Sequence, residues 1–314
     1  MRTVDYTCPF VPAEWIAAHG VRPRRLQPRS AGSRPGAHWR TGLCPYAGAF
    51  MQELVESPTA DGVVVTTLCD QMRRAAEVIQ RDRPDRPVFL LNVPRIWQSP
   101  AGQGLYRDEL LRLGRFLVRL GGQAPSDSRL CEVMLAGQAR REAALAGGGD
   151  GESGAGRGGR PESAAAGTPV RLALVGGPLM REDRELLEMI RSAGGEVVLD
   201  ATESGELTLP APFDAERTRR DPLGELVQAY LGSIPHPSRR PSDALYEWLD
   251  RHFAARGVRG VVFHRYVWCD TWHGEAARLK EWCRLPVLDL DRGDDHGAAG
   301  RCLGRIQSFL ETLR

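Results

Sequence analysis

The chain has 314 residues, 42% of them hydrophobic and 26% charged, which is the balance of a soluble globular protein long enough for one large or two ordinary domains. A formal net charge of +2 leaves no electrostatic footprint for nucleic acid, and no apolar run reaches the length of a membrane span. The amino terminus has no basic segment followed by an apolar one, so a cytoplasmic protein is expected, and there the seven scattered cysteines stay reduced.

In chain order, Val11–Gly20 reads as a short helix, with Pro12 suited to its first turn and Gly20 to the position past its end. Residues 21–40, rich in Arg, Pro, Gly and Ser, read as an exposed connection; the Arg-rich part could meet phosphates, but a solvated loop is the reading adopted. Cys44 follows in a Gly- and Pro-flanked loop, Thr41-Gly-Leu-Cys-Pro-Tyr46, ahead of a helix over 47–56 whose positive end favours an anionic sulfur. Val63-Val64-Val65 is short, β-branched and preceded by Asp-Gly, so it reads as a buried parallel strand delivering Cys69 at its carboxyl end. Ligands sit at that end in open α/β sheets.

An amphipathic helix over 71–81, a strand over 87–94 and a helix over 106–120 complete a first β-α-β-α alternation. The stretch 146–168 is Gly-rich and low in apolar residues, and reads as a flexible linker. A second alternation follows: strand 170–178 running into Gly176-Gly177, helix 181–193, strand 195–200, helix 244–256, strand 258–262, helix 275–283, strand 286–291 and helix 301–314. The paired glycines lack the spacing of a dinucleotide fingerprint, and a tight turn is expected there. Gly260-Val-Val-Phe leads to Cys269-Asp270 just as Gly62-Val-Val-Val leads to Cys69-Asp70. Both aspartates are expected to cap the helices that follow.

Three thiols at such positions invite metal. Their spacings of 25 and 200 residues include no close pair of the kind structural zinc sites use. Zinc with His38, His264 or His273 as fourth ligand, an interdomain iron–sulfur cluster, and plain buried cysteines all remain open on spacing alone. Cys8, Cys131, Cys283 and Cys302 are read as nonligands. His38 and Trp39 lie just ahead of Cys44 and are read as loop residues, whereas Trp268 and Trp272 crowd Cys269, where packing is the ordinary role of aromatic rings.

The chain resembles subunits of the 2-hydroxyacyl-CoA dehydratase and benzoyl-CoA reductase family. The resemblance rests on Cys8-Pro-Phe-Val-Pro-Ala-Glu-Trp-Ile-Ala-Ala-His-Gly-Val-Arg-Pro23, Leu43-Cys-Pro-Tyr46, Thr67-Leu-Cys-Asp70, Leu174-Val-Gly-Gly-Pro-Leu179, Trp268-Cys-Asp270 and Leu285-Pro-Val-Leu-Asp-Leu-Asp291, in order along nearly the whole chain. It implies that Cys44, Cys69 and Cys269 hold a four-iron four-sulfur cluster between two doubly wound, Rossmann-like or flavodoxin-like α/β domains. It also implies a second subunit, homologous or identical, and an ATP-hydrolysing activator that injects one electron into an acyl-CoA thioester, whose ketyl radical then expels the α-hydroxyl group. Glu14, in the matched opening, is the candidate acid or base. Ile234-Pro-His-Pro-Ser238 stands where relatives often carry Pro-Cys, which argues against a larger cluster. In the closing segment, Arg301 and Gly304 stand where relatives usually show Gln and Thr. The expected organisation is therefore an amino-terminal α/β domain over 1–145 with Cys44 and Cys69, the linker 146–168, and a second α/β domain over 169–314 with Cys269. A ring-reducing acyl-CoA reductase subunit, a noncatalytic electron-relay subunit, and a zinc or metal-free binding protein are the alternatives.

Overall fold

A computed structural model of the chain describes residues 1–30, 42–56, 59–147, 168–293 and 298–314. His38, Trp39 and residues 148–167 of the Gly-rich stretch lie outside the described residues.

Contacts divide the chain into two compact units. The first comprises Met1–Leu26, Met51–Gly149 and Leu209–Ser242. Its four-stranded sheet contains β1 (Thr3–Tyr6), β2 (Arg22–Arg25), β3 (Gly62–Thr66) and β4 (Val88–Leu91), in the order β2-β1-β3-β4 with every pairing parallel. Helices supply the crossovers that parallel pairing requires: α1 (Ala13–Ala18) between β1 and β2, and α3 (Asp70–Asp82) between β3 and β4, while α2 (Pro45–Glu56) precedes β3. All five β3 residues are buried, as expected of a strand covered on both faces. The long helix α4 (Pro100–Arg119) starts where Ser99 accepts a hydrogen bond from the Gly102 N–H at 3.0 Å and Pro100 occupies the first turn. It buries Tyr106, Leu110, Leu113 and Leu117, the stripe read from the sequence.

Three features depart from the sequence reading. Residues 22–25, read as loop, form the edge strand β2, where Pro23 needs no ladder partner on the open side. Arg24 is held in register by Asp5, its Nε donating at 2.6 Å. The helix α5 (Asp127–Gly147) carries Cys131 on a helix, as the sequence suggests, but its bounds are not marked there. Residues 209–242 return to the first unit through α7 (Ala215–Arg220), α8 (Pro222–Val227) and a π-helical turn over Gln228–Gly232. A single boundary at 146–168 therefore gives way to an interleaved division: Phe213, Leu223, Leu226 and Tyr230 join the first hydrophobic core beside Phe10, Trp15 and Leu110.

The second unit comprises Gln27–Phe50, Asp150–Thr208 and Asp243–Arg314. Its sheet repeats the topology: β5 (Val170–Gly176), β6 (Gly195–Thr202), β7 (Gly260–Tyr266) and β8 (Val287–Arg292) in the order β6-β5-β7-β8, all parallel. Around it lie α6 (Arg184–Ser192), α9 (Asp243–Ala255), α10 (Asp270–Trp282) and α11 (Ala298–Thr312). A separate core gathers Leu172, Leu174, Leu186, Ile190, Ile306 and Leu310. Both units are thus doubly wound α/β folds in which the chain steps outward one way to the second strand and the other way to the third. The switch point lies between β1 and β3 in one sheet and between β5 and β7 in the other, the place where such sheets bind ligands. No helix among the described residues is long and apolar enough to cross a membrane.

Candidate functional site

Each switch point delivers a cysteine. Cys69 is the third residue after β3 and Cys269 the third after β7, and each is the N-cap of the next helix. Their carbonyl oxygens accept the first helical hydrogen bonds, from the Arg73 N–H at 3.0 Å and the His273 N–H at 2.8 Å. Cys44 takes the same position on α2, accepting from the Gly48 N–H at 3.0 Å. Asp70 and Asp270, expected as caps, are instead the first helical residues. All three sulfurs therefore start helices, where the macrodipole and unpaired N–H groups favour negative charge.

Within the second unit, Cys44 and Cys269 meet: their thiols are hydrogen-bonded. That bond, together with burial and the electrostatic influence of Cys44, pushes the Cys269 thiol well above its ordinary value, against the opposing pull of the Trp272 backbone N–H. Glu203, just past the carboxyl end of β6, adds its negative charge to the Cys269 environment and is held by the Trp272 indole N–H at 2.6 Å. Trp268, next to Cys269, adopts the left-handed φ of 63° and is 64% exposed. The Tyr46 ring stacks on Tyr266 at 6.2 Å between centroids. The Tyr266 hydroxyl donates to the buried Asp183, which also accepts the Met180 N–H at 2.8 Å and pairs with Arg292 at 2.7 Å. Burial, then the Asp183 carboxylate, drives the Tyr266 phenol far above its usual range, so it stays protonated.

Turn geometry fixes the adjoining strand end. Gly176 has φ 145°, and the Gly177 N–H donates to the His264 carbonyl at 3.1 Å. A Cβ at Gly176 would fall onto that carbonyl, so the tight turn expected here is what the paired glycines make. His264 is fully buried, with no well-aligned hydrogen bond to either ring nitrogen and only a weak one with the Pro178 backbone. Desolvation lowers its pKa to about 4 despite the nearby Asp183 carboxylate, so the imidazole is neutral at pH 7. The Nδ1 of His273 lies 3.0 Å from the Arg265 guanidinium, which is itself clamped by Asp289 and Asp291.

In the first unit, Glu14 is buried on α1 with both carboxylate oxygens engaged: Oε1 pairs with Arg141, and Oε2 accepts from the Tyr230 hydroxyl at 2.6 Å. Among the remaining cysteines, Cys131 lies on α5, Cys283 directly follows α10, and Cys302 is buried on α11. No disulfide is present among the described residues, and no three of their His, Cys, Asp or Glu side chains are grouped to hold one metal ion. Glu203 and Asp183 went unread in the sequence. The signal for Glu203 was its place just past a strand's carboxyl end, whereas nothing local marked Asp183.

The family profile described as "2-hydroxyglutaryl-CoA dehydratase, D-component" matches residues 8–146 and 155–313. No curated protein matches the chain. Among solved structures, the crystal structure of Fe(III)-bound YtgA from Chlamydia trachomatis is similar at 11% identity and a TM-score of 0.27, covering 100% of this chain and 98% of that one.

Proposed function

The chain belongs to the 2-hydroxyglutaryl-CoA dehydratase D-component family, and from that premise we propose that it is the iron–sulfur subunit of a dehydratase that removes water from a 2-hydroxyacyl-CoA. The observation that carries the reading is the hydrogen-bonded thiol pair of Cys44 and Cys269, two sulfurs far apart in sequence that meet at the starts of two helices. Cys69 is the third ligand of this proposal, because it occupies on β3 and α3 the position that Cys269 occupies on β7 and α10.

Thiolates are the ligands that iron–sulfur clusters use, and three of them leave one iron without a protein sulfur. When bound, the four-iron four-sulfur cluster supplies one-electron chemistry at the thioester carbonyl. The chain's own residues hold it. The three helix starts offset part of the negative charge of the thiolates. Trp272 fixes Glu203 beside Cys269, giving a carboxylate that can accept or return a proton next to the reacting group. Stacked Tyr46 and Tyr266 keep water from one flank. Glu14, with both oxygens engaged, acts in this reading by tying α1 to α5 and to the 209–242 segment. A second subunit and an ATP-hydrolysing activator complete the proposed system.

The test is anaerobic purification with iron, sulfide and zinc analysis, followed by turnover with activator, ATP and 2-hydroxyacyl-CoA thioesters. About four iron per cluster-bearing chain, falling on substitution of Cys44, Cys69 or Cys269 by Ser, is the expected result. Zinc in place of iron, or full iron retention in the Cys69→Ser protein, would sink the proposal.

A further inference from the structure

At the amino edge of the first sheet, opposite the edge that carries Cys69, lies a cavity of about 390 Å³. Its lining includes Asp61, which directly precedes β3, the turn Arg83–Arg86, which leads into β4, and Arg119 at the end of α4. Four arginines and two aspartates face one another there. Asp61 is taken by Arg2 at 2.5 Å and Asp85 by Arg83 at 2.9 Å. Arg86 and Arg119 have no ion-pair partner among the described residues, so the cavity carries two positive charges in excess.

Arg86 is only 5% exposed. Its backbone N–H donates to the Arg83 carbonyl at 2.9 Å, in a turn that brings the two guanidinium groups together. Burial, and then the Arg83 charge, lower the Arg86 pKa. The end of α2 steadies both side chains: the Leu54 carbonyl accepts from Arg86 Nη1 at 2.7 Å, and the Val55 carbonyl from Arg83 Nη1 at 3.3 Å. A helix end carries only about half a charge, so these bonds hold the guanidinium groups without neutralising them. The Nε and Nη2 of Arg86 bond no protein atom among the described residues and neither is sealed from solvent, so they face the cavity that the residue lines.

Those features select a ligand. The volume is in the range of small-molecule sites, which begins at about 300 Å³. Like charges drawn together repel, and an anion between them turns that repulsion into attraction. A phosphate monoester carries between about −1.5 and −2 at neutral pH and presents three acceptor oxygens, matching two uncancelled guanidinium groups in both charge and donors. A single carboxylate supplies half that charge. We propose that this cavity binds a small organic phosphate monoester. The site is separate from the Cys69 thiol, because all of β3 intervenes, Gly62–Thr66, about 17 Å of strand. It therefore stands independently of the dehydratase reading.

The experiment uses the full chain and measures binding of glycerol 3-phosphate and glucose 6-phosphate by calorimetry, with glycerol, glucose, inorganic phosphate and CoA alongside. Arg86→Gln and Arg119→Gln each remove one charge from the cavity, Arg115→Gln removes an exposed one from α4 outside it, and thermal melts report folding. At least one ester is expected to bind saturably and more tightly than inorganic phosphate, and the parent alcohols not to bind. Arg119→Gln should weaken binding about three- to fivefold, as loss of an exposed charge does, and Arg86→Gln more than about tenfold, as loss of a charged hydrogen bond does. Arg115→Gln should change nothing. The inference is overturned if neither ester binds, if inorganic phosphate binds more tightly than both, if Arg115→Gln weakens binding as much as Arg119→Gln, or if folded Arg119→Gln protein matches the wild type. Displacement of the esters by CoA that binds more tightly than either would make the cavity part of a thioester site and overturn it too. Should Arg86→Gln fail to fold, Arg119→Gln, at the exposed end of a helix, decides.

Discussion

Replacing His264 by Phe should make the second unit more resistant to acid. The imidazole is fully buried on β7, and its folded-state pKa is about 4 against an ordinary 6.5, chiefly through desolvation. Between those values the unfolded chain binds a proton that the folded chain refuses, so stability is complete at pH 7 and is lost as pH falls from about 6.5 toward 4. At about 1.4 kcal/mol per pH unit, the gap amounts to about 3 kcal/mol when fully expressed. His264→Phe removes that loss. It should also cost no more than about 1 kcal/mol at pH 7, because no well-aligned hydrogen bond reaches either ring nitrogen and only a weak one with the Pro178 backbone is lost. Urea unfolding followed by tryptophan fluorescence at pH 7, 5.5 and 4.5 measures both effects. Parallel losses in the two proteins across that range would refute the reasoning, and so would a cost of several kcal/mol at pH 7.

Gly176→Ala should prevent accumulation of folded protein, since its Cβ meets the His264 backbone, whereas Gly274→Ala on α10 meets nothing within 4 Å and should be neutral or stabilising by up to about 1 kcal/mol; soluble yield and melting temperature decide. Glu14→Gln should cost on the order of 3 kcal/mol by leaving Arg141 without its charge partner, and Arg141→Met in the same chain should restore much of it; equal denaturation midpoints for the single and double variants would contradict this. Tyr266→Phe should destabilise by about 1–3 kcal/mol, because the buried Asp183 loses a donor; an unchanged unfolding midpoint would remove that hydrogen bond from the account.

Much of the architecture was legible in local pattern. Val63–Val65 and Val261–Phe263 read as buried parallel strands because uninterrupted β-branched runs need cover on both faces, and the stripe from Tyr106 to Leu117 read as a helix because its spacing follows 3.6 residues per turn. Cys69 and Cys269 were recognisable from their place after such strands. Arg22–Arg25 did not read as a strand: its charge and proline mimic a loop, and only pairing with β1 makes it extended. The 209–242 segment carries short helices whose apolar residues acquire a face only against α4 and α5.

Sequence alone determined two α/β sheets and the strand ends on which two cysteines would appear, since periodicity and turn chemistry are written in neighbouring residues. Only tertiary structure decided that the Cys44 thiol meets Cys269, that Glu203 is held beside them by Trp272, and that Arg86 and Arg119 line one cavity at the amino edge of the first sheet. Those facts depend on strand order and on which distant segments return to an edge. No local pattern encodes that, because the free energy that selects it comes from burying surfaces dozens to hundreds of residues apart.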